Sequence, residues 1–255
     1  MTGHPPSITE TGHVAPVARR VRAVLGGATI VDSVRAKYVW EWPYYPQFVF
    51  PPEDVRGADL IDEGCSEARP NGTAHRHGLR AAGVEKPGAA WVYGPDAESG
   101  LAGHVRFDWA AMDAWFEEDE QVFVHPRNPY TRVDALRSTR QVRVRLGGVL
   151  LAESSSPVLL FETGLPTRYY FNRTEVDFAH LVPAETVTAC PYKGRTSAYW
   201  SVRVGDVLHE DLAWSYDFPV TAVAPITGLV AFYNEMVDIE VDGEPLPRPE
   251  SPFSR

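Results

Sequence analysis

The segment Cys190-Pro191-Tyr192-Lys193-Gly194 concentrates the most reactive side chains of the chain. Proline after the cysteine fixes the backbone, Gly194 permits a tight turn, and Lys193 places an ammonium three residues from the thiol. An adjacent ammonium favours the thiolate, the nucleophilic form of a cysteine. On that reading Cys190 is a nucleophile or a redox-active thiol and Lys193 binds an anionic ligand. The other reading is a small apolar cysteine packed beside a surface lysine.

Further candidates lie on either side of this segment. Glu162 follows an aromatic residue at a strand end, where a carboxylate serves as a general base, hydrogen-bonds a ligand or caps a turn. Arg168 offers a planar guanidinium to an anion. Tyr169, Tyr199, Trp200, Trp214 and Tyr216 line an aromatic pocket or fill an ordinary core. His209, followed by Glu210 and Asp211, supplies a base and an orienting carboxylate for Cys190 if the fold brings them together. His75-Arg76-His77 lacks a second ligand cluster, and no Cys-x-x-Cys pair exists, so no metal site is expected. No Gly-x-Ser-x-Gly elbow, phosphate loop, His-Glu-x-x-His or dinucleotide fingerprint is present, and no cofactor is expected.

Composition narrows the setting. The 255 residues are 44% hydrophobic and 23% charged, the profile of a globular chain. The net charge of −10 argues against an extended nucleic-acid or anionic-membrane surface. No apolar run approaches the roughly 20 residues of a membrane span. Two cysteines cannot build a disulfide scaffold. The first residues carry no basic start and apolar stretch of a signal peptide, so the cytoplasm is the expected compartment.

An internal duplication organises the chain. Val21–Leu60 lies over Val142–Leu181 at an offset of 121, without a gap and with 11 of 40 positions identical. Ala90-Trp91-Val92-Tyr93 then matches Ala213-Trp214-Ser215-Tyr216 at 123, and Leu101–Asp113 matches Ile226–Asp238 at 125. A rising offset is the mark of one duplication followed by loop insertions. The expected layout is an N-terminal arm (1–18), a first domain (19–125), a linker (126–139), a second domain (140–243) and a proline-rich tail (244–255).

Each copy opens with alternating residues around a Gly-Gly turn, a β-hairpin signature. A second hairpin is predicted over Ala198–Val204 and Val207–His209, turning at Gly205-Asp206. Only Leu101–Trp109 and Pro225–Tyr233 read as helical. The prediction is a mainly β protein of two tandem antiparallel domains, each with one short helix.

Four motifs identify a resemblance. They are Phe161-Glu162-Thr163-Gly164-Leu165-Pro166-Thr167-Arg168-Tyr169-Tyr170, the Cys190–Gly194 segment, Ala213-Trp214-Ser215-Tyr216, and Trp115–Glu120 followed by Phe123-Val124-His125-Pro126. In this order they resemble the tandem form of the bacterial domain of unknown function (DUF) family 427. The resemblance implies a β-tent-like fold of two antiparallel sheets meeting at an angle, and no established reaction. A nucleotidyltransferase label attached to the family finds no Gly-Ser followed by paired aspartates here.

The copies differ at the candidate residues. Glu162 is matched by Glu41, but Arg168 falls on Gln47, and Cys190–Gly194 falls by interpolation on Ala68–Gly72. The expected function is therefore binding of a small polar or anionic molecule in the cleft of the second copy. The alternatives are an enzyme acting through Cys190 and a non-catalytic protein-interaction module. Oligomeric state is left open.

Overall fold

A computed structural model describes residues 9–251 and residue 253. The chain divides into two compact units between Asn128 and Pro129. The two units repeat one topology.

In the first unit, a seven-stranded sheet runs Val14–Pro16, Lys37–Val39, Gln47–Phe50, Val105–Phe107, Val84–Tyr93, Gly72–Ala81, Ala58–Arg69 in spatial order. In the second, the order is Val133–Arg137, Val158–Glu162, Arg168–Phe171, Val230–Phe232, Val207–Ser215, Ala198–Val204, Leu181–Ala184. Strand for strand, these correspond. Each unit adds a four-stranded sheet, Ala28–Ser33, Val21–Leu25, Ala114–Glu117, Glu120–Val122 in one and Val149–Ser154, Val142–Leu146, Asp238–Val241, Glu244–Leu246 in the other. All the ladders between these strands are antiparallel.

The hairpin signature is realised at Gly26-Gly27 and Gly147-Gly148, where φ runs from +55° to +84°. Such positive values suit glycine, which has no Cβ to clash. Val21–Leu25 and Val142–Leu146 alternate buried and half-buried residues, as strands with one covered face must. Small contacts also repeat. The Ser33 hydroxyl donates to Asp54 at 2.7 Å, and Ser154 donates to Glu175 at 2.8 Å.

The large sheet of the second unit is covered on both faces. Tyr169, Phe171, Trp200 and Phe232 pack with the small sheet. On the opposite face, Leu160, Tyr170, Tyr199, Trp214, Tyr216 and Ala231 form a separate cluster. All four residues of Arg168–Phe171 are consequently buried.

Five expectations need correction. Neither predicted helix forms. Thr221–Ile226 is a 3-10 turn and Val230–Phe232 a sheet strand, because Pro225 and Gly228 interrupt the segment and both faces of Val230–Phe232 are buried. In the first unit Val105–Phe107 is likewise a strand, followed by a single 3-10 turn at Trp109–Ala111. Within the expected linker, Val133–Arg137 pairs with Val158–Glu162 as the edge of the large sheet. The arm and tail contribute too, since Val14–Pro16 pairs with Lys37–Val39 and Glu244–Leu246 with Asp238–Val241. Residues 1–8 of the expected arm and residues 252, 254 and 255 of the expected tail lie outside the described residues. No helix among the described residues is long and apolar enough to cross a membrane.

Candidate functional site

In the second unit one row of cross-strand partners carries the site. Val158 faces Tyr170, Tyr170 faces Ala231, Ala231 faces Trp214, and Trp214 faces Tyr199. Side chains directly opposite in neighbouring strands share a face. Glu162 and Arg168 belong to that face as well, because Glu162 is two residues beyond Leu160 and Arg168 two before Tyr170.

The segment bearing Cys190 folds over this face. Ala189–Cys190 pairs with Gly194–Arg195, with Cys190 opposite Gly194, whose φ of +97° closes the turn. The backbone of Val220 donates to the Lys193 carbonyl at 3.1 Å and fixes the loop against residues 217–220. Lys193 thereby reaches inward and its ammonium contacts Glu162 Oε2, with side chains only 12% and 7% exposed. Burial disfavours the ammonium, but facing Cys190, Glu162 and Tyr170 more than offsets this and raises the Lys193 pKa above its usual value. Cys190 is partly exposed and forms no disulfide.

Arg168 is held differently. Its two terminal nitrogens donate to the two carboxylate oxygens of Glu235 at 2.6 and 2.8 Å, and one also donates to Asn234 at 3.3 Å. The guanidinium lies 5.9 Å from the Trp214 ring and 5.5 Å from that of Tyr233. Glu235 is buried, which disfavours its charge, yet hydrogen bonds from Arg168 and Ser251 keep its pKa below the usual value. Each cation of the site thus faces one carboxylate.

Tyr170 is the residue that sequence reasoning missed. Its side chain is fully buried, with the Trp214 indole N–H as its polar neighbour and no acceptor for the proton of its own hydroxyl. Burial pushes its pKa up to about 12, against the pull of the Lys193 ammonium. Lys193, Arg168 and the Cys190 thiol are the ionisable groups it senses. Tyr216, buried next to the same thiol and to Tyr170, is also shifted upward. Farther along the row, the Tyr199 and Tyr233 hydroxyls are 2.8 Å apart.

The structure therefore brings together Glu162, Lys193, Cys190, Arg168, Tyr199, Trp214 and Tyr216. It does not bring Tyr169, Trp200 or His209 to them. Tyr169 and Trp200 point into the opposite core, because adjacent strand residues alternate faces. Tyr169 instead borders a cleft of about 230 Å³ shared with Pro166, Ile239, Leu246 and Pro249. His209 sits opposite Val202 near the hairpin end, seven residues from Tyr216, or about 20 Å along an extended strand. A Cys190–His209 dyad is not formed. Asp211 is engaged by the Thr186 hydroxyl at 2.8 Å. Of the missed residues, Tyr170 had a signal, its place beside Arg168 in the second motif. Glu235 and Asn234 had none, being 66 or more residues from Arg168 in sequence.

The corresponding place in the first unit is filled by its own side chains. Its row reads Lys37, Val49, Arg106, Trp91, Arg76. Glu41 Oε2 lies 3.2 Å from Arg69 and 3.5 Å from Arg106, and Oε1 accepts from the Tyr93 hydroxyl at 3.1 Å. Arg69 covers the Trp91 ring at 4.5 Å. A family profile described as a domain of unknown function (DUF427) matches residues 13–118 and 134–243. The chain belongs to the DUF427 family. It carries two copies of the DUF427 domain, and the matched ranges coincide with the two repeated topologies. The DUF427 description assigns no reaction, and no curated protein matches the chain.

Proposed function

We propose that the second DUF427 copy binds a small, polar, uncharged molecule at the cluster of Glu162, Tyr170, Lys193 and Cys190. The observation that carries this reading is the Tyr170 hydroxyl, fully buried beside the Trp214 indole with no acceptor for its own proton. Buried donors are nearly always paired, so an O–H without an acceptor points to one that a bound molecule supplies. Lys193 strengthens the argument: an ammonium has three donors, and Glu162 is the side-chain acceptor that engages it. Charge pairing favours an uncharged ligand over an anionic one. Glu162 offsets Lys193 and Glu235 offsets Arg168, so a bound anion would meet a balanced and largely dehydrated site.

Thermal-shift screening of wild type against separate sets of uncharged and anionic metabolites tests this. A member of the uncharged set is expected to raise the melting temperature of wild type, with the rise lost in Tyr170→Phe and Lys193→Ala. The same rise in wild type and both variants would remove this cluster as the binding site.

A further inference from the structure

Cys190 is partly exposed, as is Lys193 at 12% of its side chain, whereas Tyr170 is fully enclosed. The thiol therefore lies nearer solvent than the Tyr170 hydroxyl, on the same side of the sheet. Lys193 is held as an ammonium by Glu162, so its nitrogen lone pair is not available for imine formation. A ligand that satisfies both donors and meets the thiol needs an acceptor oxygen bonded directly to an electrophilic carbon. That group is a carbonyl. Among uncharged carbonyls, aldehydes are the ones to which thiols add readily.

We infer that Cys190 captures an aldehyde reversibly as a hemithioacetal. This rests on the proposed binding site and names the class of ligand it takes. In the step, the Cys190 Sγ–C bond forms as the C=O π bond opens, and the thiol proton ends on the former carbonyl oxygen. Thiol and aldehyde are the only reactants, and nothing is oxidised or reduced. The Tyr170 hydroxyl and Lys193 ammonium donate to that oxygen while charge develops on it, the arrangement that stabilises an oxyanion. Glu162 keeps Lys193 aimed inward. The first copy has alanine, Ala68, at the interpolated position of Cys190 and a valine, Val49, at that of Tyr170, so it lacks both the thiol and the hydroxyl.

Propanal is a suitable probe, with protection of the full-length protein against iodoacetamide as the readout. Alkylation of Cys190 and of the exposed Cys65 is followed by peptide mass spectrometry, so that Cys65 serves as an internal control. Propanal is expected to slow alkylation of Cys190 while leaving Cys65 unaffected. The concentration needed rises about tenfold in Tyr170→Phe, the ratio for one lost hydrogen bond. Equal protection of both cysteines, or none, would overturn the inference. So would a cyanoborohydride-trapped propyl group on Lys193, which marks an imine. If a screened uncharged metabolite stabilises wild type but not Tyr170→Phe while propanal leaves Cys190 unprotected, the binding site stands and the aldehyde falls. If no metabolite distinguishes those two proteins, the binding site itself falls.

Discussion

The two copies place the same row of residues on the same sheet face and fill it in opposite ways. Val49, Arg106 and Arg76 in the first copy correspond to Tyr170, Ala231 and Tyr199 in the second. In the first, the long side chain of Arg106 and the guanidinium of Arg69 close on Glu41 and Trp91. In the second, alanine replaces arginine, and the cation for Glu162 comes from a loop. That loop exists because the edge strands differ. Ala58–Arg69 continues along the first sheet through a bulge between Asp62 and Ser66, whereas Leu181–Ala184 stops early and the chain turns over the face as the Cys190–Gly194 hairpin. The shared glutamate shows that a buried carboxylate needs a cation. The element that supplies the cation differs between the copies, a sheet strand in the first and a loop in the second.

Several substitutions would break or sharpen this contrast. The largest effect is expected from Arg168→Ala, which strands Glu235, 1% exposed, as an unpaired buried charge. A loss of about 3–5 kcal/mol in urea titration is expected. Gln47→Ala, at the matching position of the first copy, is expected to stay within about 0.5 kcal/mol. Similar losses for both would erase the difference.

Exchanging the filling residue is next. Arg106→Ala removes a cation from Glu41 and Asp108 and is expected to cost about 2 kcal/mol. Ala231→Arg forces a guanidinium into a position with no exposed surface, at about 1–3 kcal/mol for overpacking and more for the buried charge, and is expected to abolish any ligand-induced thermal shift. A shift that survives Ala231→Arg would place the ligand elsewhere. Smaller still are the two hydroxyl deletions. Tyr93→Phe loses a donor to Glu41 and is expected to cost about 1.5 kcal/mol, whereas Tyr170→Phe removes a hydroxyl whose proton has no acceptor and whose oxygen faces only the Trp214 indole, and should change stability by less than about 1 kcal/mol.

The least visible effect at neutral pH is alkaline. The ordinary tyrosine value is 10.0 and that of Tyr170 is raised to about 12, so the folded protein keeps this proton after the unfolded chain has lost it. Stability from this group is constant below pH 10 and falls as pH rises from 10 towards 12. Tyr170→Phe should flatten that alkaline limb, and its difference spectrum against wild type should show one phenol ionising near pH 12. A Tyr170 phenolate appearing at the ordinary value would show that the hydroxyl is already solvated.

Much of the fold was legible in the primary structure. The duplication appears at a fixed offset of 121 over forty residues, and the paired glycines mark the first hairpin of each copy. The helices at Leu101–Trp109 and Pro225–Tyr233 were misread because short apolar runs suit a buried strand as well as a helix. At the site, Glu162 and Lys193 were legible by residue type, and their meeting was not. The aromatic set divided because Tyr169 and Tyr170 are both aromatic and both buried, so alternation alone does not tell which of the two faces the Cys190 hairpin.

The amino-acid order alone determined the repeat, the strand character and the fact that only one copy retains cysteine and lysine in the turn. Those features rest on local spacing and on comparison of the chain with itself. Only the tertiary structure decided that Lys193 pairs with Glu162, that Glu235 claims Arg168 and that His209 stays apart from Cys190. It also decided that the Tyr170 hydroxyl is buried with no acceptor for its proton. The reason is physical: burial and pairing arise where distant strands and loops meet, and their energies depend on which neighbours exclude water.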